Sequence, residues 1–219
     1  MNTTLPPIEE LLRMPSPCPS PLGIAFDGSR LWLASGEVDR IYAVEPRDAS
    51  VSEESAVPGT PYGLTVVGDE LRAVVGDEVE DDRSIARYVV GHGFKRDMLP
   101  CPNATGSWLA YDGDFLYLAQ RFEKQILALD DAGAVRRAIP VAREITGMTI
   151  VDGCFYLLTT ESKEVDDYRL VRLDARKTEP VETEIASLAF IPRGLAYDGT
   201  RFWTNMRSEN ITLAFAFPK

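Results

Sequence analysis

The chain repeats itself. The stretch Pro21–Pro46, PLGIAFDGSRLWLASGEVDRIYAVEP, returns four more times, as PYGLTVVGDELRAVV, TGSWLAYDGDFLYLAQRFEKQILALD, TGMTIVDGCFYLLT followed by YRLVRLD, and PRGLAYDGTRFWTNMRSENITLAFAF. The turn glycines that anchor the copies are Gly28, Gly68, Gly113, Gly153 and Gly199, so the period is 40 to 46 residues. That is the length of one four-stranded propeller blade, and a period of this kind constrains the fold before any local feature does. Each copy contains short runs rich in β-branched, aliphatic and aromatic residues. Turn glycines that tolerate positive φ separate them.

Within the first copy, Gly23–Phe26 reads as the innermost strand, Arg30–Ala34 as the second, Ile41–Glu45 as the third and Val51–Val57 as the fourth. The second strands LWLA, LRAVV, LYLA, FYLL and FWT are apolar on both faces, as strands of sheets stacked on neighbouring sheets would be. The last copy runs out after three strands. The segment Ile8–Met14 resembles the outer strands of the other copies, so the N-terminus is expected to supply the missing strand and close the ring. Closure removes the open edges that a linear stack would expose. The expected fold is all-β, a five-bladed propeller of four-stranded antiparallel blades forming a single domain. Its repeats span about 21–58, 59–100, 101–140, 141–187, and 188–219 plus 7–15. A six-bladed ring and a β-sandwich are the alternatives.

Copy for copy, PLGIAFDG at 21–28, LWLA at 31–34 and PRGLAYDG at 192–199 resemble the repeats of NHL, YVTN and gluconolactonase-like propellers. Enzymes of the gluconolactonase-like group hold a divalent metal with Glu, Asn and Asp around a central funnel. The resemblance therefore implies a cation there, calcium or magnesium. The opening Glu motif of that group has no match at Pro19–Gly23, so its ligand positions do not transfer. The chain is also similar in size to glutaminyl cyclotransferase-like propellers, but their opening motif matches Ser20–Ile24 poorly.

Composition narrows the function classes. A net charge of −11 opposes binding to nucleic acid or an anionic membrane, both of them polyanions. The N-terminus lacks a signal-peptide pattern, and a cytoplasmic location is expected. Cys18 and Cys101 occupy matching places two blades apart, too far for a disulfide. His92, the one histidine, falls in an outer hairpin without an acid–base partner, so it is not expected to be catalytic. No metal-binding, nucleophile or phosphate-loop motif is present.

The repeat also serves as an internal reference, because a scaffold position should look alike in every copy. Four copies end the second strand on Ala34, Val74, Ala119 or Leu158, whereas the fifth has Asn205. Asn205 either contacts a ligand or bonds nearby backbone. Arg121 and Arg207 follow second strands, and Tyr62 and Arg193 precede opening glycines, all on one rim. Three arginines at one opening suit a carboxylate or phosphate, or pair with rim acids. Those acids are Glu37, Asp39, Asp77, Glu78, Glu144 and Glu161. Trp108 stands where copies one and five have glycine, and its indole either stacks on a ligand or fills the centre of the ring.

The residues expected to act are thus Glu144, Glu37 and Asn205 in chemistry and Arg121, Arg193, Arg207, Trp108 and Tyr62 in binding. The expected ligand is a small polar or anionic molecule. The chemistry would be of lyase, isomerase, cyclase or lactonase type, since no activated nucleophile is evident. The alternative is a non-catalytic scaffold whose acidic loops engage a protein partner.

Overall fold

The computed structural model describes residues 5–162, 164–174, 177 and 180–218. Strand β1 is Glu10–Pro15. Blade one follows with β2 (Pro21–Phe26), β3 (Leu31–Ser35), β4 (Arg40–Val44) and β5 (Val51–Ala56). Blade two has β6 (Thr60–Val67), β7 (Glu70–Gly76) and β8 (Arg83–Val89), then the short β9 (Gly93–Phe94) and β10 (Leu99–Pro100). Blade three contains β11 (Trp108–Tyr111), β12 (Leu116–Gln120), β13 (Gln125–Leu129) and β14 (Val135–Pro140). Blade four contains β15 (Glu144–Val151), β16 (Cys154–Thr160), β17 (Tyr168–Asp174) and β18 (Glu182–Leu188). Blade five has β19 (Pro192–Tyr197), β20 (Arg201–Met206) and β21 (Ile211–Ala216), and its outer strand is β1.

The chain is therefore an all-β, five-bladed propeller, as the repeat predicts. Two details differ from the sequence reading. The outer strand of blade two is broken into β9 and β10, which pair with opposite ends of β8. The closing strand starts at Glu10, not Ile8. Residues ahead of it turn to blade four, where Ile8 N–H donates to Ser187 O at 3.1 Å and Ser187 N–H to Pro6 O at 2.8 Å. Pro6 and Pro7 have no N–H to give, which suits the margin of a sheet better than its interior. The N-terminal segment thus clasps blade four before β1 completes blade five.

The inner strands β2, β6, β11, β15 and β19 surround the axis, and their backbones nearly touch. A Cβ on Gly23 would lie 2.1 Å from Tyr62 O, and one on Gly63 would lie 2.5 Å from both Ser107 O and the Trp108 Cα. Only glycine allows that approach. The second strands β3, β7, β12, β16 and β20 lie between stacked blades. Trp32, Phe155, Phe202 and Trp203 there are almost wholly buried, and burying an aromatic or large aliphatic side chain is worth roughly 1.5–3 kcal/mol. All three cysteines are free and buried.

The Asp-Gly turns below the inner strands carry a repeated lock. Asp27 accepts from the Trp32 indole N–H at 2.8 Å, Asp198 from the Trp203 indole N–H at 2.8 Å, and Asp112 from the Tyr117 hydroxyl at 2.8 Å. Burial pushes the Asp198 carboxyl up. The bonds from Trp203, Arg201 and the Arg201 and Thr200 backbone outweigh it and hold the pKa at about 2. A depressed carboxylate stabilises the fold fully above its unfolded pKa and loses that contribution as pH falls through the folded one. Stability should therefore decline from about pH 4 towards pH 2. Asp198→Asn is expected to lower the unfolding midpoint at pH 7 and to flatten that acid limb, as read by thermal melts across pH.

Candidate functional site

The connection into each blade and the loop after each second strand lie at the same end of the ring, here the upper face. The inner strands begin there, and the polar residues that break the repeat gather around this opening. Tyr62 sits at the start of β6, Glu144 opens β15, and Arg193 is near the start of β19. Arg121 and Arg207 follow β12 and β20.

Arg121 is paired with Glu144. Its Nε donates to Oε2 at 2.9 Å and its Nη2 lies 2.8 Å from the same oxygen, with both side chains largely buried. Two further pairs stand on this face, Arg83 with Asp81 and Arg143 with Asp167. Arg83 also lies flat over the Tyr62 ring, 3.5 Å from its centroid, while the Tyr62 hydroxyl donates to Asp81 at 3.1 Å. Burial and the Asp81 carboxylate push the Tyr62 hydroxyl up against the opposing pull of Arg83 and Arg207, so it keeps its proton at neutral pH.

Arg193 differs from these pairs. Its Nη1 donates to the neighbouring Pro192 carbonyl at 2.9 Å, and Tyr168 is a further side-chain hydrogen-bond partner. Burial lowers its pKa, and the guanidinium groups of Arg121 and Arg207 lower it further, against an opposite pull from Tyr168. Among the described residues, no carboxylate is paired with Arg193 or with the exposed Arg207. An arginine does not give up its proton at neutral pH, so the positive charge stays uncompensated. A carboxylate- or phosphate-sized anion would relieve it with charge-assisted bonds.

A cavity of 300 Å³ opens beside this mouth between blades two and three. It is lined by Asp81, Arg83, Gly106, Ser107, Gln120 and Arg121 among others. Below the mouth the axis is filled. Trp108 is buried, donates its indole N–H to Ile145 O at 2.8 Å, and belongs to an apolar cluster reaching from Leu22 of blade one to Met148 of blade four, with Tyr62 packed against it. Under this layer a narrower space of 160 Å³ is lined by Ile24, Leu64, Leu109, Met148 and Leu195 from all five inner strands.

The geometry places the other residues singled out in the sequence. Trp108 has a covered ring and a satisfied N–H, and forms the floor of the mouth. It takes the glycine position of β11, so Ser107 is the equivalent of Tyr62. Asn205 lies inside the junction that closes the ring. It is fully buried, accepts from the Thr212 hydroxyl at 2.9 Å, and donates to the carbonyls of Leu22 at 3.3 Å and Gly23 at 3.4 Å. It joins blade five to blade one through long-range bonds to backbone carbonyls, not through bonds to its own loop. Glu37 is exposed and accepts from the Ser20 hydroxyl at 2.6 Å.

The mouth also offers a poor seat to a divalent cation. Its uncompensated groups are guanidiniums, and its carboxylates Asp81, Glu144 and Asp167 are each held by an arginine. Hard cations need several free oxygen ligands. Among the described residues no three of His, Cys, Asp and Glu are placed so that they could hold a metal ion together. Sequence reasoning missed Arg83 and Asp81, because an arginine opening a third strand looks like ordinary loop charge. The signal it left was their place beside Tyr62.

The fold and site define a class, a five-bladed β-propeller with an arginine-lined upper mouth. No family model matches the chain, and no curated protein does. Solved structures show what it is similar to. Glutaminyl cyclase from Myxococcus xanthus superposes with a TM-score of 0.72 at 12% identity, over 97% of this chain and 98% of that one. The PQQ-bound aldose sugar dehydrogenase of Streptomyces coelicolor gives 0.65 at 13%, over 95% and 97%. A catalytically inactive virginiamycin B lyase from Staphylococcus aureus with quinupristin gives 0.55 at 14%, over 94% and 98%. At these identities the likeness is one of fold, and it agrees with the propeller architecture of the repeats.

Asn205→Ala should destabilise the ring by about 2 kcal/mol through the orphaned partners, a fall in melting temperature of roughly 4–8 °C for a chain of this size. Glu144→Ala should cost about 3 kcal/mol, because it leaves a buried arginine beside Arg193. Glu37→Ala should stay within about 0.5 kcal/mol of wild type. Denaturant melts of the three variants give the order.

Proposed function

We propose that the upper mouth binds a small anionic molecule, with a carboxylate or phosphate-like group seated on Arg193 and Arg207. The observation that carries this is a half-buried arginine crowded by two others, without a carboxylate of its own among the described residues, in a protein of net charge −11. Such an arrangement costs folding free energy unless an anion is received there. The Tyr62 hydroxyl, whose proton goes to Asp81, stands at the same mouth with an oxygen that can accept from a ligand hydroxyl. The adjoining cavity of 300 Å³ has room for the rest of a small ligand.

The reaction class we favour is cyclase or lyase chemistry, in which protons move and no protein nucleophile is needed. Glu144 is the group for that step. An anion drawing Arg121 away from it would free its carboxylate to accept a proton. Two structural neighbours are by name a cyclase and a lyase, which favours this class over nucleophile-dependent hydrolysis.

The test is a thermal-shift and calorimetric titration with acetate, citrate, phosphate and oxalate in low-chloride buffer. At least one anion should raise the melting temperature in a saturable way, equivalent to about 2.7 kcal/mol at a hundredfold excess over Kd. Arg193→Ala with Arg207→Ala should abolish the effect, and Glu144→Gln should retain it. Equal responses from wild type and the double arginine variant would defeat the proposal.

A further inference from the structure

The loops of the upper face share a property that the anion site does not use. The loop after β3 presents Val38 between Glu37 and Asp39. The loop after β7 presents Val79 between Glu78 and Glu80. The loop after β12 presents Phe122 beside Glu123, and that after β16 presents Val165 between Glu164 and Asp166. Exposure is 41% for Val38, 89% for Val79, 70% for Phe122 and 40% for Val165, and Ile191, on the connection into blade five, is 39% exposed.

Single exposed apolar side chains need no explanation. Here four of five blades place one at the corresponding loop, on one face, with acids beside it. The loops are otherwise tied down. Asp77 accepts from the Val79 and Glu80 N–H groups, both at 2.8 Å, and Thr160 donates to the Val165 carbonyl at 3.0 Å. The tips are therefore presented by bonded turns. Burying them inward is also closed off, because the axis beneath is already filled by Trp108 and its neighbours.

We infer that this ring of apolar tips and acids is a docking face for a basic protein segment in which lysine or arginine alternates with aliphatic side chains. The choice of occupant follows from charge complementarity. A partner covering Val38, Val79, Phe122 and Val165 must place its own groups beside Glu37, Asp39, Glu78, Glu80, Glu123 and Asp166. Acids there would repel an acidic partner and steer a basic one. The aliphatic contacts supply the short-range part of the affinity. The inference does not rest on the anion site, although a docked segment would cover the mouth.

The test uses the whole chain and a short synthetic peptide alternating lysine and leucine, compared with the same peptide carrying serine in place of leucine. Binding is read by fluorescence anisotropy at low and physiological salt. The leucine peptide should bind at least about tenfold more tightly than the serine peptide. Val79→Ser with Phe122→Ser should remove that preference. Glu78→Gln with Glu80→Gln and Glu123→Gln should weaken both peptides and flatten the salt dependence. Val51→Ser with Val135→Ser, exposed positions on outer strands, should leave binding unchanged. Equal losses in the outer-strand control, or no preference for leucine over serine, would overturn the inference. An effect of Arg193→Ala alone would assign the peptide to the mouth instead of the ring.

Discussion

Five blades become a ring only because β1 pairs with β21. The register runs from Glu10 opposite Phe215 to Pro15 opposite Ile211. Without it β21 would be an open edge, and the two ends of the chain would be free to part. The junction is reinforced twice. Residues 6–8 bond to β18 of blade four, and Asn205 reaches from β20 to the carbonyls opening β2. A polar side chain in an apolar slot, the feature that made Asn205 look like a site residue, is therefore part of the closure. The bonds that satisfy it cross between the first and last complete inner layers of the ring.

Closure in turn sets the site. A ring of five is narrow, and inner strands brought to near contact at Gly23 and Gly63 leave little space on the axis. Trp108, in a position where neighbouring blades have glycine, fills what remains. The funnel that wider propellers can offer becomes a shallow mouth above an apolar floor. Charge collects there because the inner-strand starts and second-strand ends are the places where side chains meet water again. Arg83, Arg121 and Arg143 are neutralised by acids of the same rim, while Arg193, reached by the fields of Arg121 and Arg207, is not. That imbalance distinguishes the mouth from the ion pairs elsewhere on the surface, such as Arg40 with Glu54 or Arg169 with Glu184, which are exposed and contribute little.

The architecture was legible because it is written five times. Turn glycines, apolar second strands and the missing last strand each recur or fail to recur in a countable way. Blade two kept the same signals, yet its outer strand is broken, since the segment carrying Arg96–Met98 has too little apolar alternation to hold the edge of β8. At the site the arginines and Tyr62 were visible as departures from the repeat. Their roles were not, because the same departure marks a ligand contact, an interblade bond and a plug. Arg121, Asn205 and Trp108 looked alike as exceptions and have three different functions in the fold.

The sequence by itself determined the count of repeats, the strand order within each, the segment able to supply the missing strand and the face on which polar exceptions collect. Those follow from periodicity and turn chemistry, which are local. Only the tertiary structure decided which arginine lacks a carboxylate, which carboxylates are already taken, and that the axis is closed. Pairing depends on distances between residues of different blades, such as the 23 positions separating Arg121 from Glu144, and those distances are set by how the ring packs.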